Sequence, residues 1–269
     1  IGGHDIVPFH ILPNPTDDTD VNVPSDNPYA TLDENYFIQQ WPVGRIPDEA
    51  GNDAGYLLEQ IRFLTKEYEL KVKSKKSVST NILANLLRSL AQQFQTFNAR
   101  FQKPDNIGCT AEVWKPASSE VFAVIDRSDR LKTSPPTTNS NLLNGQIPDP
   151  KFAYFNLHGL AETPEWYGQR DFSEEQVGPD FPVAISANQI NKIRNNVDLV
   201  FTEACYGGFV INKSIENSMA LKLISVGSQG LVASTCIAYG SVFTPLIGAD
   251  LLGFIFWKYI KDGYSFGES

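Results

Sequence analysis

The stretch Asp198-Leu199-Val200-Phe201-Thr202-Glu203-Ala204-Cys205-Tyr206-Gly207-Gly208 decides the fold. Val197, Leu199, Val200 and Phe201 form a short apolar run that gives way to a small residue and two glycines. That is the pattern of a buried parallel strand leaving into a tight turn, here with a cysteine at the strand's carboxyl end. A second stretch of the same kind lies upstream: Phe152-Ala153-Tyr154-Phe155-Asn156-Leu157-His158-Gly159. Open α/β sheets build their sites outside the carboxyl ends of strands, near a topological switch point. Two adjacent strands ending in His-Gly and Ala-Cys would bring an imidazole and a thiol into one crevice. The expected fold is therefore α/β, a mostly parallel sheet sandwiched between helices in three layers.

The totals bound the function. A chain of 269 residues with 42% hydrophobic and 20% charged residues can bury a sizeable core, as one large α/β domain or two small ones. A net charge of −9 argues against a general nucleic-acid binder and is compatible with attracting basic peptides. No apolar run approaches the roughly 18 residues of a membrane span. Cys109, Cys205 and Cys236 are odd in number, widely spaced and without a CxxC, so neither a disulfide framework nor structural zinc is implied, and no cofactor is expected. The opening Ile1-Gly2-Gly3 reads as the end of a strand, so the chain is expected to be a piece of something longer, with flanking regulatory domains as candidate partners.

Residues 1–35 carry repeated Pro, Asp and Asn and read as a loop-rich entry segment, with Thr16 to Asp20 a solvated acidic loop. Tyr36 to Ile46 reads as a strand broken at Pro47. A helix is expected from Asp48 to about Tyr68, with Leu57, Ile61, Leu64 and Tyr68 on one stripe. The basic run Lys71 to Lys76 reads as a linker, and a long helix is expected from about Ser79 to Phe101. Cys109 to Trp114 and Glu120 to Ile125 read as short strands, with Cys109 a core residue. Ser134 to Pro150 reads as a long polar loop beside the site, and Ser186 to Asn195 as a helix capped by Ser186. Later elements are a helix within Ser214 to Val226, a strand Leu231 to Cys236 and a helix Phe243 to Tyr259. Strand–helix alternation from Lys151 onward marks residues 151–269 as the core of the sheet.

The two strand ends supply the parts of an acyl-transfer site. Cysteine is the strongest side-chain nucleophile as thiolate, and a nearby histidine can take its proton and later give one to a leaving amine. The amides of Gly159 and Cys205 are candidates for an oxyanion hole.

With these residues in view, the sequence resembles the caspase-like cysteine peptidases, the group of caspases, legumain, separase, clostripain and the gingipains. His158-Gly159 and Glu203-Ala204-Cys205-Tyr206-Gly207-Gly208 look like its two signatures. The gingipain-type catalytic domain is the nearest likeness, through Glu162-Thr163, Trp166-Tyr167-Gly168, Ser25-Asp26, Tyr29, Val43-Gly44-Arg45-Ile46-Pro47 and Val232-Ala233-Ser234-Thr235. The resemblance implies a single peptidase domain over 1–269, with Cys205 as nucleophile, His158 as general acid and the Gly159 and Cys205 amides as oxyanion donors. It further implies substrate contacts at Trp166, Ser234 and Thr235. Glu203 matches a legumain-like position lining the primary pocket, so cleavage after a basic residue is expected. Arginine-specific gingipains carry specificity and histidine-orienting acids in a loop that has no counterpart here, because Lys71 to Ser79 is short and basic. Two other classes fit the same residues: a non-catalytic caspase-like interaction module, and a thiol hydrolase or acyltransferase acting on small molecules.

Overall fold

The computed structural model describes residues 1–51, 53–76, 106–138, 150–173, 178–190 and 197–269. Its centre is a five-stranded sheet built from β3 (Ile107–Ala111), β4 (Lys132–Ser134), β5 (Phe152–Asn156), β9 (Leu199–Thr202) and β10 (Gly230–Val232). The order is β10-β9-β5-β3-β4 and every pairing is parallel. The three inner strands are short, mostly apolar runs because both faces of the sheet are covered, while β4 at the edge is polar. Alternate residues serve opposite faces. Tyr154 and Phe201 join one core cluster with Val121, Phe122, Phe256 and Trp257. Ala153, Phe155 and Val200 join another with Met219 and Leu223.

Helices α2 (Lys115–Phe122) and α4 (Gly248–Asp262) supply the first cluster, and α3 (Met219–Ser225) supplies the second. The molecule thus has a central parallel sheet with helices on both faces. In α2 a proline occupies the first turn, where no amide is needed. Its Phe122 lies so close over Gly108 that a Cβ there would overlap the ring. α3 starts at Ser218, whose Oγ accepts the Leu221 N–H at 3.4 Å. α4 ends on Gly263 in the left-handed region at φ 95°.

Two smaller sheets flank this core. β6 (His158–Gly159), β7 (Glu165–Tyr167) and β8 (Val183–Ser186) form an antiparallel sheet that begins where β5 ends. β1 (His10–Pro13) and β2 (Asn22–Ser25) form a hairpin. Helix α1 (Gly55–Lys76) leans on α3, its Tyr56 hydroxyl donating to Leu221 O at 2.9 Å.

Several sequence expectations are corrected. Ile1 to Gly3 is not in a strand, and Tyr36 to Ile46 is irregular chain with Phe37, Ile38 and Trp41 exposed. α1 starts at Gly55, where Asp53 accepts its N–H, and not at Asp48. It continues through Lys71 to Lys76, so the basic run is helical and not a linker. Tyr68 lies outside its buried stripe, 69% exposed. Glu120 to Ile125 is not a strand: α2 runs to Phe122, and burial of Val121 and Phe122 on Tyr154 fits both periods locally. Ser186 ends β8 and leads to a 3₁₀ turn at Ala187–Gln189 without a side-chain cap. The helix expected at Ser79 to Phe101, the loop over 139–149 and residues 191–196 lie outside the described residues.

Candidate active site

β5 and β9 lie side by side and point the same way, with Tyr154 opposite Phe201 and Phe155 opposite Thr202. The Glu203 N–H extends the ladder by donating to Phe155 O at 2.8 Å. His158 follows two residues after β5, and Cys205 three residues after β9. Their backbones touch: a Cβ on Gly159 would overlap the carbonyl oxygen of Cys205 and sit 3.2 Å from Ala204 Cβ. Only glycine allows this approach, so Gly159 sets the spacing of the two strand ends.

His158 is held by groups the sequence did not single out. Its Nε2 is 2.8 Å from Oε1 of Gln169. With that oxygen as acceptor the ring carries its proton on Nε2 and keeps a lone pair on Nδ1. Gln169 is itself pinned, its N–H to Ser134 O at 3.1 Å and its carbonyl to the Glu112 N–H at 2.9 Å. The Trp114 ring lies 4.4 Å from the imidazole and Phe181 meets it edge-on at 5.4 Å. Burial lowers the His158 pKa from its usual 6.5, and the Gln169 bond offsets part of that. The imidazole is therefore neutral at neutral pH. The sequence offered no partner to orient His158, and a glutamine takes that place. It reaches His158 because β7 folds back on β6, a pairing of two- and three-residue strands with no clear sequence pattern.

Cys205 is half-buried beside the chain that leaves β10. The Ala238 N–H donates to its Sγ at 3.3 Å, and the thiol lies 3.6 Å from Ala238 O. Burial raises the thiol pKa most; the N–H bonds of Ala238 and of Cys205 itself lower it, and Asp20 and Asp18 raise it again. The thiol thus holds its proton at neutral pH. Among the described residues no backbone carbonyl takes the Cys205 N–H. The sharp exit after the cysteine uses Tyr206 at φ 55°, not the glycines, as its left-handed residue. Gly207 and Gly208 serve close packing: a Cβ on either would sit 3.0 Å from a carbonyl, of Ala204 and of Ala233 respectively.

Glu203 is buried and accepts the Tyr154 hydroxyl at 2.6 Å. Apart from the Asp250 carboxyl, no side chain among the described residues meets its other oxygen, Oε2. Its acidic neighbour is Asp250 on α4, fully buried, which accepts the Ser241 N–H and lies 3.4 Å from Asn156 Nδ2. Burial first and the Asp250 charge second push the Glu203 pKa well above 4.5; burial also raises Asp250. No lysine or arginine among the described residues pairs with either acid. Both lie under exposed Gly240, whose Cβ would overlap the Asp250 carboxylate and sit 3.4 Å from Glu203 Oε2. Asp250 had no signal in the sequence, since an acid in a helix's first turn ordinarily reads as a dipole partner.

Ser234 and Thr235 do lie beside the cysteine turn. Ser234 O accepts the Gly208 N–H at 2.7 Å, while the Thr235 hydroxyl donates to Pro24 O at 2.5 Å. Trp166 does not line a surface. It is 2% exposed on β7 and packs on Phe155 at 5.4 Å, so its expected substrate role is replaced by a core role. A groove of about 1280 Å³ lies away from these groups, between residues 42–47, α1 and the outer edge of β10. It contains neither His158 nor Cys205, so the chemistry and not the cavity locates the site. Among the described residues no cluster of His, Cys, Asp and Glu is grouped to hold a metal ion, and no helix is long and apolar enough to cross a membrane.

Comparison with protein-family models, curated proteins and solved structures found no match to this chain. The functional reading rests on the residues themselves.

Proposed function

We propose that the chain is a caspase-like cysteine endopeptidase domain that cuts peptide bonds after a basic residue. The observation that carries this reading is the placement of His158-Gly159 and Cys205 at the carboxyl ends of adjacent parallel strands, in backbone contact through Gly159.

Both partners are neutral at rest, because burial moves their pKa values away from an ion pair. The thiol proton therefore leaves as the bond forms. Sγ of Cys205 attacks the substrate carbonyl carbon while its proton passes to the lone pair of the imidazole, which Gln169 aims by holding Nε2–H. The carbonyl π electrons move to oxygen, which the amides of Gly159 and Cys205 receive. Collapse of this intermediate re-forms the carbonyl and breaks the C–N bond. The imidazolium gives its proton to the departing amine. Water, deprotonated by the same imidazole, then hydrolyses the thioester and returns the proton to sulfur.

The basic preference rests on Glu203 and Asp250. Two buried acids without a cation are costly, and a guanidinium or ammonium group entering beneath Gly240 would let both ionise. A peptide library decides the point. The intact chain is expected to cut after Arg or Lys, Cys205→Ala to cut nothing, and Glu203→Gln to lose the basic preference. Unchanged cleavage by Cys205→Ala contradicts the dyad; an unchanged preference in Glu203→Gln removes the acid from the pocket.

A further inference from the structure

The chain past β10 runs from Ser234 to Tyr239 beside the cysteine turn, and its residues divide by parity. Even-numbered residues serve the turn: Ser234 O takes the Gly208 N–H at 2.7 Å, Cys236 O takes the Tyr206 N–H at 2.9 Å, and Ala238 N–H reaches Cys205 Sγ at 3.3 Å. Odd-numbered residues serve the N-terminal hairpin. Thr235 Oγ1 donates to Pro24 O at 2.5 Å, Ile237 N–H to Asp20 Oδ2 at 3.0 Å and Tyr239 hydroxyl to Asp18 Oδ2 at 2.8 Å. The other oxygen of Asp20 takes the Tyr206 hydroxyl at 2.5 Å.

The loop that makes these contacts is pre-shaped. Asn14 Nδ2 bridges Asp18 Oδ1 and Asp20 O, both at 2.7 Å, and Asp20 N–H returns to Asp18 Oδ1 at 2.8 Å. β1 and β2 clamp its two ends. Extended peptides bind proteins by pairing along a free backbone edge. The edge of Ser234–Tyr239 turned away from the cysteine turn is the one such a peptide would use here, and Asp20 already occupies its Ile237 N–H.

We propose that the Thr16–Asp20 loop is an autoinhibitory strap, tied by Asp18 and Asp20 across the peptide-pairing edge beside Cys205, which must lift before an extended peptide reaches the thiol. This rests on the peptidase reading above and adds regulation of the same site. The charges of Asp20 and Asp18 also favour the protonated form of Cys205, so a lifted strap frees the edge and favours the thiolate. A basic substrate side chain is the natural competitor for the strap's acids.

The test compares two reagents on the full chain, with the modified residue located by mass spectrometry. Iodoacetamide needs no peptide edge; an extended peptidyl chloromethyl ketone with a basic first residue does. The ratio of their Cys205 modification rates is read in wild type, in Asp18→Ala/Asp20→Ala and in Tyr239→Phe. The double variant removes three charge-assisted hydrogen bonds, to Tyr206, Ile237 and Tyr239, and is expected to raise the ratio about tenfold or more. Tyr239→Phe cuts one tether while keeping the ring and should raise the ratio less, in the same direction. It alone decides the matter if the double variant loses its cooperative thermal transition. A ratio unchanged or lowered, with the peptidyl reagent still preferring Cys205 in wild type, overturns the strap and leaves the peptidase reading standing. A peptidyl reagent with no advantage over iodoacetamide in any of the proteins overturns both.

Discussion

Glu203 carries the sharpest single-residue consequence. Its folded pKa is raised well above 4.5 by burial and by Asp250. A raised carboxyl pKa means that its stability contribution is complete below the unfolded value and is lost as pH rises toward the folded one. Above about pH 4.5 the wild-type chain therefore gives up as much as about 1.4 kcal/mol per pH unit at this site, until the folded pKa is reached. Glu203→Gln keeps the Tyr154 bond without the titrating proton. Thermal melts across pH 5 to 8 should show the variant gaining on wild type as pH rises; a constant difference contradicts the raised pKa. If Glu203 lines the pocket as proposed, the same substitution also removes the basic preference, so stability and function are expected to move in opposite directions. Of the candidate site residues, Glu203, Cys205, His158 and Gly159 stood out in the sequence because each closes or follows an apolar run. Gln169 and Asp250 stayed hidden: their roles come from chain crossings, not from neighbours.

Among the elements, the N-terminal hairpin departs most from its sequence reading. Thr16 to Asp20 looked like a solvated acidic loop, yet its acids bond to Tyr206, Ile237 and Tyr239, 186 to 221 residues away. Contacts at that separation leave no local pattern. Arg45 gathers the chain on either side of the hairpin. Its guanidinium forks onto Asp26, Nε at 2.9 Å and Nη2 at 2.5 Å, and Nη1 reaches Gly2 O and Val7 O at 2.9 and 2.6 Å. Phe9 covers it at 4.0 Å. Arg45→Ala would strand Asp26, only 17% exposed, and should cost roughly 3 kcal/mol in denaturant unfolding. Arg45→Lys keeps the charge but loses the fork and should fall between. A loss under about 1 kcal/mol for Arg45→Ala would show that the pair is solvated like an ordinary surface bridge. The central strands were legible because buried parallel strands must be apolar throughout. Tyr36 to Ile46 was misread because its aromatic residues imitate a strand while packing on no sheet.

At the scale of the whole molecule, a parallel five-stranded sheet brings the ends of β5 and β9 together, and everything proposed about function follows from that adjacency. In the proposed reading the sheet sets His158 and Cys205 on adjacent strand ends, Gln169 after β7 aims the histidine, α4 sets Asp250 beside Glu203, and the Thr16–Asp20 loop covers the edge of Ser234–Tyr239. These parts come from residues 18 to 250, so the site depends on the folded chain as a unit. The most direct measurement is capture of the acyl-enzyme. A basic peptide ester is mixed with the chain, quenched in acid within the turnover time, and the protein digested for mass spectrometry. The account predicts an added acyl mass on Cys205, absent when His158→Ala is treated for the same time. An acyl group on Cys109 or Cys236, or none on any cysteine while the ester is consumed, would contradict it.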